Sequence, residues 1–187
     1  DGVIDNLITG SQTHPEMTGR YLADIASDWE VSQPEACRRL MPGGACYFQM
    51  REDDVERVIK HPLSMIGSDG LPHDERPHPR LWGTFPRVLA KYWREKGVLQ
   101  LEQAIHKMTA LSARRFKLDQ RGKLQVGYFA DVVVFDPQSV QDLAGFENPA
   151  QFSAGIEQVW VNGVLSYTGE QRGMAARSGR FVRRASN

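Results

Sequence analysis

The sequence predicts an α/β fold, because apolar β-branched runs alternate with amphipathic helical patterns through residues 1–117. A change of character near residue 118 is the second observation, since short strands and turn signals then follow one another. The third is that residues 1–117 hold only two candidate strands, whereas a parallel sheet needs neighbours and cover on both faces. We therefore expect residues 1–117 to end a larger α/β barrel or sheet, and residues 118–187 to form a β-rich part.

The first segment contains a strand followed by three helical stretches. Val3–Thr9 is apolar and β-branched and stops at a Gly-Ser pair, which is typical of a strand. Glu16–Glu30 repeats apolar residues at helical spacing, which predicts an amphipathic helix. Pro34 opens a short helix, since proline is tolerated in a first turn. A further helix is predicted at Asp53–Ile59, whose acidic start suits the helix dipole.

A buried parallel strand is predicted at Leu63–Gly70, a short apolar run that follows the helix-breaking pair His61-Pro62. The proline-rich stretch Leu71–Pro86 is too long for a simple turn, and loops of this length are often functional. Helices are predicted at Phe85–Lys96 and Leu99–Phe116, the second with a clear 3.6-residue period.

Strand signals dominate the remainder of the chain. Gly122–Gly127 predicts a turn, a strand and a turn, and Ala130–Pro137 predicts a strand that Asp-Pro ends. Ile156–Val161 and Val164–Tyr167 are joined by Asn162-Gly163, the commonest signal for a type I′ hairpin. So few strands do not readily close a core by themselves.

The composition excludes some partners. The 187 residues carry 23 Lys plus Arg against 23 Asp plus Glu, and this balance argues against a nucleic-acid surface, which needs clustered cations. No apolar run approaches the ~18–20 residues that a membrane helix needs, so we expect no membrane partner. The first residues lack an initiator Met and a signal-type pattern, and we expect them to lie inside a longer protein.

Two cysteines, Cys37 and Cys46, are consistent with a disulfide, but reduced thiols in a cytoplasmic protein are favoured because no secretory signal is present. Neither cysteine has a Cys or His neighbour at the spacing of a zinc motif. Packing is the role we expect for them.

Asp69 is the main candidate for chemistry. It follows the predicted strand Leu63–Gly70, and catalytic groups of α/β enzymes lie at the carboxyl ends of parallel strands. On spacing alone, the alternative is somewhat favoured: Asp69 caps the following loop, and Gly70 supplies a positive φ.

Other polar residues of the same loop have two interpretations. Arg76 and Arg80 have the guanidinium geometry that binds a substrate carboxylate, or they form surface ion pairs with Asp74 or Glu75. The histidines His14, His73 and His78 are candidate ligands, although we favour ordinary polar positions in loops for all of them.

Several segments resemble the D-aminoacylase (N-acyl-D-amino-acid deacylase) family of the amidohydrolase superfamily. The resemblance covers essentially the whole chain but only the C-terminal portion of the family's length. It is carried by Met65–Asp74 (MIGSDGLPHD), Pro77–Leu89 (PHPRLWGTFPRVL), Lys107–Thr109, Ala113–Phe116, Gly122–Leu124, Ala130–Asp136 and Val159–Gly163.

The resemblance implies the C-terminal part of a (β/α)8 metal-dependent hydrolase barrel in residues 1–117, followed by part of a small β-sandwich domain in residues 118–187. It implies zinc, with Asp69 as metal ligand and catalytic residue and Arg80 as the residue that binds the α-carboxylate of a small-molecule substrate. In the reaction that the resemblance implies, Asp69 would accept the proton of the attacking water and return it to the leaving amine, so that an N-acyl-D-amino acid yields a carboxylate and a free D-amino acid.

The family's His-x-His pair and its other metal ligands have no counterparts in this sequence. We therefore expect the missing N-terminal part of the same enzyme to supply most zinc ligands, and we expect this chain to be inactive alone. Two alternatives stay open, namely another amidohydrolase such as a dihydropyrimidinase-like cyclic amidase, and a non-catalytic module. The sequence of the loop Pro77–Arg87 favours the D-aminoacylase family over a cyclic amidase.

Overall fold

The computed structural model describes residues 6–71, 76–170, 173–174 and 176–184. In it the first two strands, β1 (Asn6–Ser11) and β2 (Gly43–Tyr47), pair antiparallel. The predicted strand Val3–Thr9 is confirmed where it overlaps β1, and its first three residues lie outside the described part of the chain. The sequence did not predict β2, which begins with two glycines. Gly43 packs so closely that a Cβ there would lie 2.5 Å from the Gly10 carbonyl oxygen.

Two helices pack on this hairpin, and the first is shorter than predicted. A 3₁₀ turn at Pro15–Met17 precedes helix α1 at Leu22–Asp28. Between them Gly19 adopts a φ of +87°, and its N–H donates to the Ile8 carbonyl at 2.7 Å. This left-handed backbone interrupts the helical path that the apolar spacing predicts over Glu16–Glu30.

Helix α2 spans Gln33–Leu40 and begins as the sequence predicts. The Ser32 hydroxyl accepts a hydrogen bond from the Glu35 N–H at 3.4 Å, and Pro34 lies in the first turn. The first apolar core lies between the helices and β1 and consists of Ile8, Leu22, Ile25, Ala26, Ala36 and Leu40.

Helix α3 spans Glu52–Lys60 and confirms the predicted acidic start. Glu52 contacts the ammonium groups of Lys91 at 2.8 Å and Lys96 at 3.1 Å. The hydrogen bond from Lys91, followed by that from Lys96, holds the pKa of Glu52 below its usual range. These pairs tie α3 to the helix that contains Lys91.

The predicted parallel strand at Leu63–Gly70 is wrong, because this segment has no regular secondary structure. No parallel strand pair occurs in the described ranges, so the segment lacks the neighbours that a buried strand requires. Its backbone instead forms a hydrogen bond with a helix residue, since the Ile66 N–H donates to the Lys107 carbonyl at 3.3 Å.

Four helical segments follow the loop. Helix α4 spans Arg80–Arg87 and starts five residues before the predicted Phe85; a π-helix at Val88–Glu95 continues it directly. The predicted helix Leu99–Phe116 is divided into α5 (Leu101–Met108) and α6 (Ala110–Phe116), because Thr109 leaves the helical region of backbone space.

The second apolar core joins the two halves of the sequence. The π-helix supplies Val88, Leu89 and Tyr92, and they pack with a fully buried Val140 from the region after residue 118. The Arg94 guanidinium donates to the Val140 carbonyl at 2.7 Å. Side chains from α3 and α5 complete this core, which therefore fixes residues 137–140 against the helices.

A four-stranded antiparallel sheet in the order β3-β4-β5-β6 follows. Its strands span Val132–Phe135, Ile156–Val161, Val164–Thr168 and Gly173–Met174. The predicted hairpin is confirmed, and both turn residues have positive φ, +51° at Asn162 and +78° at Gly163.

The predicted strand within Gly122–Gly127 is wrong. That stretch forms turns, and Val126 is fully exposed, so its apolar side chains have no sheet face to cover. The described residues also contain no helix long and apolar enough to cross a membrane.

Arg121 secures the hairpin turn. Its side chain is only 13% exposed and forms an ion pair with Asp131. It also donates to Asn162 Oδ1 at 2.7 Å, and its guanidinium lies 4.3 Å from the centroid of the Phe129 ring. Asp131 in turn accepts from the Asn162 N–H at 2.9 Å. One arginine thus connects the segment before β3 to the β4–β5 turn.

We predict that Arg121→Ala lowers the opening free energy of the β4–β5 hairpin by about 2–3 kcal/mol, because Asp131 and Asn162 lose a shielded, charged partner. Native-state hydrogen exchange of the β4 and β5 amides should accelerate about 30–150-fold. Arg57→Ala, which breaks an exposed pair with Asp54, should change exchange in α3 less than about fivefold. Unchanged exchange in the Arg121 variant contradicts this role.

Candidate active site

The structure brings the two predicted site residues together. Asp69 lies at the end of the irregular segment after α3, and Arg80 is the first residue of α4. The Arg80 Nη2 atom is 2.5 Å from Asp69 Oδ2, and the two side chains are 51% and 72% exposed. An ion pair this exposed is worth little, about 0–1 kcal/mol, so either partner is free to exchange it for another charged group.

The backbone beside Asp69 passes close to α4. Gly70 has a φ of +153°, and a Cβ at this position would lie 2.9 Å from the Leu81 Cβ. Glycine therefore satisfies both the conformation and the contact. The alternative interpretation of Asp69-Gly70 as a loop turn is correct about Gly70, whereas the Asp69 carboxylate forms its ion pair with a helix residue.

His78 explains why α4 begins at Arg80. Its Nδ1 atom accepts a hydrogen bond from the Arg80 N–H at 3.0 Å, which satisfies an amide that the first turn of a helix leaves open. Its ring packs edge-on against Phe146, with 5.2 Å between centroids. Burial, and secondarily the charge of Arg80, lowers the pKa of His78, while Asp69 opposes this effect. Because Nδ1 accepts this hydrogen bond, a neutral His78 ring carries its proton at Nε2.

The other residues that the sequence suggested for the site do not contact Asp69 or Arg80 in the described part of the chain. The Arg76 guanidinium donates to the Glu147 carbonyl at 3.2 Å, while Asp74, Glu75 and the candidate ligand His73 lie outside the described residues. His14 pairs with Glu16 at 3.0 Å and packs against Trp29 with 4.9 Å between ring centroids. The contacts of His14 thus belong to the first apolar core.

A buried lysine near the site was not singled out from the sequence. Lys107 is 5% exposed, and its ammonium donates to the carbonyls of His61 at 2.5 Å and Ser64 at 3.1 Å. A signal for it exists: Lys107 falls on the inward face of its helix, three residues after Ala104 and four before Leu111. A charge at such a position needs buried partners.

The described residues do not complete a metal site. They contain no group of three or more His, Cys, Asp or Glu side chains placed to hold a metal ion. The expected packing role is confirmed for the buried Cys46 in β2, but Cys37 on α2 is exposed. Asp69 is thus a single candidate ligand on an open surface.

Two cavities in the described part of the chain lie away from Asp69 and Arg80. One of about 540 Å³ lies beside β4 and β5 and includes Asp136, Glu157 and Thr168. Another of about 340 Å³ lies between the π-helix and residues 141–144. Neither is lined by Asp69 or Arg80, and these two side chains are largely exposed in the part of the chain that the structure describes.

Comparison with known proteins gives consistent matches. Residues 23–167 match the model of a family described as "Amidohydrolase family". A D-aminoacylase of Alcaligenes xylosoxydans xylosoxydans is 52% identical over 172 residues, which cover 89% of this chain and 36% of that protein. The chain therefore spans little more than a third of the length of this relative.

Solved structures are similar over the same region. A D-aminoacylase crystal structure has a TM-score of 0.90 and 49% sequence identity to this chain. The match covers 96% of this chain and 38% of the D-aminoacylase chain. An N-acyl-D-glutamate deacylase from Bordetella bronchiseptica, complexed with zinc and a phosphonate mimic of the tetrahedral intermediate, has a TM-score of 0.84 and 54% identity. That match covers 88% of this chain and 35% of that one. The fold of this chain is thus similar to the corresponding part of these amidohydrolase structures.

We predict that His78 titrates below the ordinary pKa of 6.5. Because the folded state binds this proton less readily than the unfolded chain, the His78–Arg80 hydrogen bond stabilises the fold above pH 6.5 and is lost as pH falls. NMR titration of the ring gives the pKa, and ring nitrogen shifts give the tautomer. In Arg80→Met the pKa should rise. A wild-type value at or above 6.5 contradicts the assignment.

Proposed function

This chain belongs to the amidohydrolase family, and we propose that it is the C-terminal part of a longer zinc-dependent N-acyl-D-amino-acid deacylase, called the complete enzyme below. The proposed reaction hydrolyses the amide bond of an N-acyl-D-amino acid to a carboxylate and a free D-amino acid. The observation that carries the proposal is the Asp69–Arg80 pair, 2.5 Å apart, in a chain 52% identical to a D-aminoacylase.

The finer fold belongs to the same proposal. Residues 1–117 form the C-terminal segment of the (β/α)8 barrel, and residues 118–187 form the C-terminal part of the small β-sandwich domain. Support for the first part comes from the family match over residues 23–167, and support for the second comes from its four-stranded antiparallel sheet. The burial of Val140 among helical side chains indicates that the two parts share a core.

Exposed apolar side chains support a preceding part of the chain as the main partner. Eight large apolar residues between positions 41 and 71 are exposed, a density that marks surfaces covered by other protein. They are Met41, Tyr47, Phe48, Met50, Val58, Leu63, Met65 and Leu71. The match to only 36% of the D-aminoacylase sequence leaves ample further chain for this role.

Asp69 has the chemistry required of a proton carrier in amide hydrolysis. A carboxylate accepts a proton from the water that attacks the carbonyl, and the resulting carboxylic acid protonates the leaving amine. Its exposure, 72% in this chain, leaves the carboxylate accessible to substrate. Arg80 beside it provides the planar cation that pairs with the α-carboxylate of the substrate.

Zinc fits this chain only in part. Asp69 offers one carboxylate, and no described cluster adds further ligands, so the remaining ligands are assigned to the preceding part of the complete enzyme. When bound, zinc supplies Lewis acidity toward water and carbonyl oxygen. The share of this chain is to hold a proton at Asp69 and to orient the substrate through Arg80.

We predict that Asp69→Asn lowers kcat of the complete enzyme for N-acetyl-D-amino acids about 10²–10⁴-fold, because the amide cannot accept the proton. Zinc content is measured on the same samples. Asp28→Asn, which alters another exposed Asp–Arg pair, serves as the matched control and should leave kcat unchanged.

The present chain, assayed alone, should show no zinc-dependent deacylase activity. Activity of the isolated chain contradicts the assignment of the other zinc ligands to the preceding part. A kcat of the Asp69→Asn enzyme within about threefold of wild type contradicts the assignment of Asp69, since general acid–base groups contribute at least about 10²-fold.

Arg80→Met should raise KM for N-acetyl-D-amino acids about 10–100-fold, since a charge-assisted contact worth about 1.5–3 kcal/mol is lost. Substrates whose α-carboxylate is amidated, and cyclic imides, should respond less than about threefold. Arg20→Met, at the exposed pair with Asp28, is the control. Equal losses for charged and amidated substrates contradict carboxylate recognition and favour a cyclic amidase or a purely structural role.

A further inference from the structure

Lys107 is a buried cation that the proposed reaction does not use directly. It lies on the inward face of α5 with 5% of its surface exposed. Burial lowers the pKa of its ammonium group, so its position has a cost that a neutral side chain would avoid. We therefore expect the buried ammonium to donate hydrogen bonds that a neutral apolar side chain could not make.

Three contacts of Lys107 lead to one segment. The ammonium group donates to the carbonyl oxygens of His61 at 2.5 Å and Ser64 at 3.1 Å. The backbone carbonyl of Lys107 accepts from the Ile66 N–H at 3.3 Å. Lys107 thus holds the segment His61–Ile66 at three points, by both its side chain and its main chain.

This segment has no sheet partner in the described ranges. The carbonyls of His61 and Ser64 face the Lys107 ammonium, which needs acceptors because a buried charge without partners is costly. A lysine ammonium carries three donors on one atom and can satisfy two carbonyls that point to the same place. An apolar side chain of similar length would fill the space and leave both carbonyls unsatisfied.

The end of the held segment is close to the proposed catalytic residue. Asp69 follows Ile66 by three residues, a span of at most about 11 Å for extended chain. On its other side, Asp69 is bounded by Gly70, whose contact with Leu81 restricts the backbone. The backbone of Asp69 therefore lies between two restrained points, the contact of Gly70 with α4 and the segment that Lys107 holds.

We propose that Lys107 is a positioning residue, whose ammonium fixes the backbone of His61–Ile66 and thereby aims the Asp69 carboxylate at the reacting amide. The inference rests on the function proposed above and assigns Lys107 no contact with substrate. Small displacements of a catalytic group reduce turnover strongly, about 10²-fold for 1 Å. Substrate binding through Arg80 does not depend on this anchor.

The test compares Lys107→Met with Lys107→Arg and Lys91→Met in the complete enzyme loaded with zinc. Lys107→Met should lower kcat about 10–100-fold and leave KM within about threefold. Lys107→Arg, which restores a donor, should recover much of kcat. Lys91→Met breaks the ion pair with Glu52 and should leave both constants unchanged.

Hydrogen exchange gives a readout without substrate. The amides of residues 64–70 should exchange faster in Lys107→Met, and those of β4 and β5 should not change. If Lys107→Met fails to fold, Lys107→Gln replaces it and should give a kcat below that of Lys107→Arg at equal KM. Wild-type kcat in the Met or Gln variant overturns the inference. A wild-type complete enzyme that lacks deacylase activity overturns the proposed function instead, and the exchange result still shows whether Lys107 holds the segment.

Discussion

Asp69 lies on a stretch of backbone that no neighbouring strand supports within the described residues, and this is the constraint on which the account depends. The stretch is held by α5, through the ammonium and carbonyl groups of Lys107, and it ends against α4 at Gly70. A barrel strand obtains its position from a ladder of hydrogen bonds on both sides. Within the described residues, a few polar contacts with helices fix the position of this stretch, so the loss of any one of them should displace it more.

The electrostatics of the site follow from its openness. Asp69 and Arg80 contact each other but remain exposed, so solvent weakens their attraction and each can take another partner. Burial lowers the pKa of His78, and the neutral form of its ring can accept the hydrogen bond from the Arg80 N–H at the start of α4. The arrangement places one carboxylate, one guanidinium and one neutral imidazole around the start of a helix.

Local patterns in the sequence predicted the elements that local forces determine. The helix start at Pro34, the acidic start of α3 and the Asn162-Gly163 turn were all confirmed, because each depends on a few neighbouring residues. The strand predicted at Leu63–Gly70 failed because a short apolar run fits several buried environments equally well. The cap of α4 by His78 also could not be derived from spacing, because it needs the ring rotamer. Asp69 and Arg80 were assigned from a family resemblance; their contact came from the structure.

The central claim is that Asp69 acts on the scissile amide while Arg80 holds the substrate carboxylate. The most direct measurement is a crystal structure of the complete enzyme with zinc and a phosphonate mimic of the tetrahedral intermediate. The account predicts a carboxylate oxygen of Asp69 within hydrogen-bond reach, about 3 Å, of a phosphonate oxygen, and Arg80 paired with the α-carboxylate of the mimic. A structure in which Asp69 still faces solvent against Arg80, with another carboxylate at the phosphonate, would contradict it.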